Sequence, residues 1–327
     1  MPSSIELPEN VFVGEYTDRA NRTGVSVIYF EGGAVAGVYK YGGATSTRQI
    51  DSLEATHTVS RIDAITLAGG SAFGLDACCG VMRWLKEHDK GTDIRGIKIP
   101  IVPGAVIFDL RFSTGLTPDC NMGYLACNAL SKDVHEGSSG AGTGATVGKI
   151  LGIDNATKAG AGTACAKLRS GTLIWVYVVV NAFGDVMDKS RRIIAGARKE
   201  KNSKEFLNTS SFMTDGHTDS KLVAVSENTT LCVIVTDAYF DKSALKVIAK
   251  MASSGFARSL SPAGASFDGD IIFAVSAGNK QEFMDIVGDM SAHLVEDAIR
   301  SAIIHADGFG ILPSYKDIMR GETNAER

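Results

Sequence analysis

Asn228-Thr229-Thr230-Leu231-Cys232-Val233-Ile234-Val235 is the stretch on which the reading of this chain turns. The apolar run Leu231–Val235 predicts a buried strand with the two threonines at its head. Cleavage of the Asn228–Thr229 bond would give Thr229 a free α-amine beside its own hydroxyl. An N-terminal amine titrates near roughly 7.7–8.0, so much of it is neutral close to neutral pH. Such an amine can act as base for the neighbouring hydroxyl, and one residue then holds both nucleophile and base. No histidine or cysteine partner is needed.

Working outward, apolar runs and glycine turns alternate along the chain. Asp268-Gly269-Asp270 stands directly before the apolar Ile271-Ile272-Phe273, and a strand is expected over Asp270–Val275. Two carboxylates at i and i+2 of an extended segment face one side. Held near an amine they could orient it and stabilise its protonated form, and their repulsion would raise the pKa of one of them. On spacing alone, a turn whose aspartates bond local backbone N–H groups is the favoured reading. Leu173–Asn181 and Leu222–Val225 read as strands, and Lys242–Leu260 and Gln281–His305 as amphipathic helices.

In the first half, Thr23–Phe30 and Ala34–Tyr41 flank Glu31-Gly32-Gly33, which predicts a hairpin. Ile62–Leu67 is a strand running into Gly69-Gly70-Ser71-Ala72-Phe73-Gly74, and a helix follows over Leu75–His88. Ile97–Val102 and Ala105–Leu110 read as strands and Asn121–Leu130 as helix. The polar stretch Lys199–Ser220 reads as a loosely packed linker or an ordinary surface loop. Hairpins mixed with helices favour a layered α+β fold over a doubly wound parallel sheet.

Composition sets the limits. The chain has 327 residues, 44% hydrophobic and 21% charged, with net charge −4. That balance gives no basic footprint for nucleic acid. No apolar run reaches the length of a membrane span. The N-terminus lacks the basic and apolar regions of a signal peptide, so a cytoplasmic location is expected. The six cysteines and six histidines show no ligand spacing, and no metal or cofactor is expected.

Two glycine motifs fail as nucleotide or esterase signatures. Gly137–Lys149 (GSSGAGTGATVGK) would need glycine where Thr143 stands and Ser or Thr where Ile150 stands to form a phosphate loop. It reads as a sharp turn that lets backbone, and Lys149, approach a site closely. Gly69-Gly70-Ser71-Ala72-Phe73 lacks the second glycine of a nucleophile elbow. Gly70 and Ser71 are therefore structural or line a pocket.

The residues together resemble a family: the self-processing amide hydrolases that include the L-aminopeptidase D-amidase/D-esterase, the β-peptidyl aminopeptidases and the nylon-oligomer hydrolases. The landmarks run along most of the chain. They are Thr23-Gly24-Val25 to Gly42-Gly43-Ala44, Leu67–Leu75, Val102-Pro103-Gly104-Ala105-Val106-Ile107-Phe108-Asp109, Gly140–Ala145, Asn228-Thr229-Thr230 and Asp268-Gly269-Asp270. The resemblance implies a four-layer αββα sandwich of the N-terminal-nucleophile hydrolase type. It implies one domain, 1–327, cut into 1–228 and 229–327, the pieces staying associated as a homotetramer of cleaved protomers.

It also assigns roles. Thr229 is the nucleophile, and Asn181 holds the oxyanion. Lys149 matches a lysine near the nucleophile in the nylon-oligomer branch, which the Asp-Gly-Asp pair and the threonine also resemble. Phe108 stands where relatives often carry a tyrosine, so a phenol donor is missing there. The implied substrates are small-molecule or oligomeric amides with linear ω-amino-acyl units. The alternatives are an aminopeptidase or amidase acting on short peptides, an acyl transferase resembling ornithine acetyltransferase, and an uncleaved, non-catalytic binding protein.

Overall fold

The computed structural model describes residues 5–216 and 228–319. The expected strand Leu222–Val225 lies outside them, as do the last residues of the Lys199–Ser220 stretch.

Alternating side chains along the strands build the layers. In Leu173–Asn181, Trp175, Tyr177 and Val179 face one way, and Ile174, Val176, Val178 and Val180 the other. Thr229–Ala238 repeats this with Leu231, Val233 and Val235 against Cys232 and Ile234. Both faces of these strands are buried, so the sequence reads as a near-continuous apolar run. One face packs on the long helices Lys242–Ser259 and Met284–Ile304. The other meets Ile28, Phe30, Ile65 and Leu67 of a second group of strands. That second group carries Ala77–Glu87 and Cys120–Asn128 on its far side, through Val25, Val27, Ala64, Cys78, Val81 and Leu85. The order is helix, sheet, sheet, helix: a four-layer αββα sandwich. At about 1.5–3 kcal/mol for each large apolar side chain fully buried, the central seam between the sheets is a principal source of stability.

The strands run in the order Ala161–Lys167, Leu173–Asn181, Thr229–Ala238, Ile271–Lys280, Thr23–Lys40, Ile62–Ala68 and Gly104–Val106, with Val11–Asp18 paired to Thr23–Lys40. Thr229–Ala238 and Ile271–Lys280 are parallel and joined by the Lys242–Ser259 helix, whereas Leu173–Asn181 is antiparallel to its neighbour. A parallel pair requires such a crossover.

The hairpin expected at Glu31-Gly32-Gly33 does not form. Thr23–Lys40 is one strand of 18 residues. Its first half pairs with Val11–Asp18 and Ile62–Ala68, its second with Ile271–Lys280, and the register slips between Tyr29 and Ala34. Gly32 and Gly33 have φ of 75° and 76°, so the glycines kink the strand and hand it from one sheet to the other.

Other expectations move at their edges. The helices begin and end within three residues of the expected bounds, and a 3-10 turn at Ser71–Asp76 precedes Ala77–Glu87. Ile97–Ile99 is a short strand paired with Thr92–Ile94, and Gly104–Val106 reaches only Ala105 and Val106 of the expected Ala105–Leu110. Within the Lys199–Ser220 stretch, Thr209–Thr214 is helical. Buried Thr209 is tied to Asp185 through both its N–H and its hydroxyl. Val11–Asp18 and Ala161–Lys167 are strands that the sequence reading does not contain. Among the described residues no helix is long and apolar enough to cross a membrane.

Candidate active site

Two parallel strand starts and one antiparallel strand end meet at Thr229. Leu231 pairs with Ile271, and a bridge between Asn228 and Asp268 carries the same register three residues further. Thr229 therefore stands beside Gly269, and Thr230 beside Asp270. On the other side Asn181 is directly opposite Thr229. Strand alternation places Thr229 and Asn181 on the face that looks between the two sheets, two residues beyond Leu231 and Val179. Asp268 and Asp270 share the opposite face with Ile272. The i, i+2 spacing does set both acids on one side, but it is the side away from the Thr229 hydroxyl.

Thr229 Oγ1 donates to the carbonyl oxygen of Asn228 at 2.6 Å, and the Gly269 N–H donates to the same oxygen at 2.7 Å. Asn228, Thr229 and Thr230 are all buried.

Lys149 and Asn181 form the adjoining wall. The Lys149 ammonium donates to the Asn181 carbonyl at 2.8 Å and to its Oδ1 at 2.9 Å, and the Thr146 N–H donates to Oδ1 at 3.0 Å. Two donors on one atom fix it as the oxygen, so the amide nitrogen faces the other way. That nitrogen donates to the Phe108 carbonyl at 3.0 Å. Lys149 is held in turn by its own N–H on the Phe183 carbonyl.

The acids are held by backbone. Asp270 accepts from the Thr230 N–H at 2.6 Å and the Gly264 N–H at 3.2 Å, and Asp268 accepts from the Ala265 N–H at 3.1 Å. The other Asp268 oxygen, Oδ1, is buried with no hydrogen-bond partner among the described residues. From the far side, Tyr41 and Gly42 donate N–H to the Asp270 carbonyl and Ala44 to that of Asp268. Burial raises the pKa of both acids above the ordinary carboxylate range. For Asp268 the neighbouring Asp270 adds to the rise, and Ala265 and Lys149 oppose it. For Asp270 the Thr230 and Gly264 N–H groups and Lys149 oppose it. The same acid raises the pKa of the Tyr41 phenol, after burial.

Phe108 enters the cluster through its carbonyl, with its ring half-buried. Gly70 and Ser71 connect one step further out. Their N–H groups bond Asp109 Oδ1 at 2.7 Å and the Ile107 carbonyl at 2.9 Å. Asp109, buried, also accepts from the Thr23 hydroxyl at 2.8 Å. Asp109 is thus the anchor that fixes Gly70 beside Ile107–Phe108, a role its place in the sequence does not reveal. Gly269 and the Phe183–Phe267 ring pair, with centroids 4.9 Å apart, are likewise missed by the sequence reading. Only the glycine left a trace, as the middle of Asp-Gly-Asp.

The site thus sets a buried hydroxyl at a strand head opposite an asparagine, with two buried acids on the other face of the neighbouring strand, inside a four-layer sandwich. Solved structures share the fold. The β-aminopeptidase of a Burkholderia sp. superposes with a TM-score of 0.70 at 17% identity, covering 97% of this chain and 92% of that one. The L-aminopeptidase D-Ala-esterase/amidase from Ochrobactrum anthropi gives 0.69 at 19%, with the same coverage, and is described as a variant of the N-terminal-nucleophile hydrolase fold. The chain has that fold and is an amide-bond hydrolase. It belongs to Peptidase family S58, whose profile matches residues 9–311. An uncharacterized aminopeptidase of Mycobacterium tuberculosis is 35% identical over 323 residues, covering 91% of this chain and 90% of that protein. A 6-aminohexanoate-oligomer endohydrolase of Kocuria sp. is 30% identical over 269 residues, covering 81% and 72%.

Proposed function

We propose that this hydrolase matures by cutting itself at Asn228–Thr229 and then uses Thr229 as an N-terminal nucleophile on linear amides of the ω-amino-acyl kind. The observation that carries the reading is the Thr229 hydroxyl lying on the carbonyl of the residue before it, 2.6 Å from its oxygen. In the first step Oγ1 bonds to the Asn228 carbonyl carbon, the carbon–nitrogen bond breaks, and the hydroxyl proton passes to the departing nitrogen. Water then hydrolyses the resulting ester, leaving a carboxylate on Asn228 and a free amine and hydroxyl on Thr229. The same hydroxyl next attacks a substrate amide, with the amine as its base. Asp268 and Asp270 orient that amine, and Lys149 opposes their tendency to keep it protonated. Asn181 stabilises the oxyanion by turning its nitrogen from the Phe108 carbonyl to the substrate.

The strand order supports the pieces 1–228 and 229–327 staying together. Thr229–Ala238 is flanked by Leu173–Asn181 of the first piece and Ile271–Lys280 of its own, and the latter pairs with Thr23–Lys40 of the first. Homotetrameric assembly and a cytoplasmic location belong to the same proposal, and light scattering of the purified protein tests the assembly. Intact mass and N-terminal sequencing test the cut: the wild type yields a fragment beginning at Thr229, and Thr229→Ala stays whole. Two fragments from Thr229→Ala would refute the mechanism.

A second reading, release of N-terminal residues from short peptides, is favoured by the higher identity to the mycobacterial aminopeptidase than to the endohydrolase. N-acetylated 6-aminohexanoate oligomers separate the two. An endohydrolase cuts them, and an aminopeptidase does not.

A further inference from the structure

We infer that the backbone N–H of Gly269 is the oxyanion donor for the self-cleavage step, a role that rests on the cut at Asn228–Thr229 proposed above. When Oγ1 adds to the Asn228 carbonyl carbon, negative charge gathers on one atom, the Asn228 oxygen. A donor already aimed at that atom stabilises the charge with no reorganisation. The Gly269 N–H occupies that place in the uncut chain, 2.7 Å from the oxygen. Asn181, the residue assigned to the oxyanion of substrate hydrolysis, turns its amide nitrogen to the Phe108 carbonyl at 3.0 Å instead. The two reactions thus draw on different donors, a backbone N–H for maturation and a side-chain amide for turnover.

The position explains the residue. A Cβ at 269 would lie 2.5 Å from Thr229 Oγ1 and 3.1 Å from the Ala44 carbonyl oxygen. Under about 3 Å something must move, and here it is the nucleophile. Only glycine brings an N–H onto the scissile carbonyl while leaving the hydroxyl beside it. The acids on either side hold this N–H in place. Asp268 bridges to Asn228, and Asp270 bonds the Thr230 N–H at 2.6 Å. Both neighbours of Gly269 are therefore pinned to the strand that carries the bond to be cut.

The step balances without a further reactant. Oγ1–C forms, C–N breaks, one proton moves from oxygen to nitrogen, and the amide becomes an ester. The charge on the Asn228 oxygen is transient, and the Gly269 N–H returns to bonding a neutral carbonyl.

The test removes that N–H and also weakens the Asp268 carbonyl, the acceptor for the Ala44 N–H, a loss that a second ester on the same strand reproduces. Cell-free translation of the full chain with glycolic acid at position 269 replaces the amide by an ester. A second chain carries phenyllactic acid at Phe273, on the same strand but away from the scissile carbonyl. Cutting is followed by intact mass. The expected result is self-cleavage slowed on the order of 100-fold by the ester at 269, the loss typical of one oxyanion donor, with the Phe273 ester cutting within about threefold of wild type. Cutting at the wild-type rate with the 269 ester overturns the inference, as does equal slowing by both esters, which would mark a general loss of folding. Wild-type chain that stays at 327 residues throughout fails the underlying reading instead, and the control lane shows it.

Discussion

Asp270→Asn, made in a Thr229→Ala background that keeps the chain whole, tests the electrostatics of the acid pair. Each Asp270 oxygen accepts one backbone N–H, from Thr230 at 2.6 Å and Gly264 at 3.2 Å. A protonated carboxyl still accepts through both oxygens, but an amide nitrogen does not. One N–H must therefore face a donor, at a cost of about 1–3 kcal/mol for a buried unsatisfied group. Against this stands the raised pKa of Asp270, caused first by burial. The folded chain holds that proton more tightly than the unfolded one, so the aspartate's contribution to stability is whole below the ordinary carboxylate value near 4. It falls as pH climbs through the raised value. Every tenfold by which folding tightens the hold on the proton removes about 1.4 kcal/mol once the acid is ionised, and asparagine loses nothing. At roughly 2 °C per kcal/mol for a chain of this size, Asp270→Asn melts about 2–6 °C below its parent at pH 4.5. At pH 8 the gap narrows by about 2 °C or more. The assay is thermal unfolding by circular dichroism at the two pH values; groups remote from the site cancel in the difference, and Asp268, relieved of the Asp270 charge, narrows the gap at pH 8 further. A gap that is constant, or wider at pH 8, refutes the reasoning.

Three further outcomes are expected. Asn181→Ala, assayed on cut enzyme, lowers kcat by about 10²–10³-fold with little change in KM; steady-state kinetics on a soluble amide decide it, and an unchanged kcat removes Asn181 from the oxyanion. Asp109→Ala strips the buried Gly70 N–H and the Thr23 hydroxyl of their acceptor and destabilises the fold by about 2–5 kcal/mol, read as a denaturant midpoint; a loss under 1 kcal/mol contradicts the anchoring role (about half the smallest expected loss). Lys158 is fully buried, and burial lowers its pKa to about 7. Its folded value lies below its unfolded one, so its penalty is full below pH 7 and is relieved as pH rises toward 10.5; the melting temperature of Lys158→Met relative to wild type therefore falls between pH 7 and pH 10, and a flat difference contradicts the lowered pKa.

What the sequence showed and hid follows from where the information lies. Leu173–Asn181 was legible to the residue because both its faces are buried and the apolar run ends where asparagine begins. The two long helices were legible from their period. The kink at Glu31-Gly32-Gly33 was misread because two glycines between apolar runs look the same in a turn and in a bend. Only the partners of each half distinguish them, and those partners lie far away in sequence. Ala161–Lys167 escaped because its small residues mimic a loop. They are small because a helix presses on them: a Cβ at Gly162 would sit 2.1 Å from the Ala298 carbonyl. At the site, Thr229, Asn181, Asp268 and Asp270 stand at strand ends, where pattern and resemblance both point. The clasp of Lys149 on Asn181 depends on how the loop after Gly144 is folded, and no local pattern encodes that.

The placing of Thr229–Ala238 and Ile271–Lys280 in the middle of the strand order, rather than at an edge, has a consequence for the mature protein. Before the cut, folding is an event within one molecule, and the search for partners is set by loop closure. Once cut as proposed, the two central strands belong to a separate peptide, and the same sheet can be rebuilt only by two molecules meeting. Refolding from denaturant should then slow on dilution, with a half-time inversely proportional to concentration, while the uncut Thr229→Ala chain refolds at a rate independent of it. Maturation would make the enzyme a heterodimer in all but origin, with a native state formed through a covalent history that the finished molecule no longer possesses.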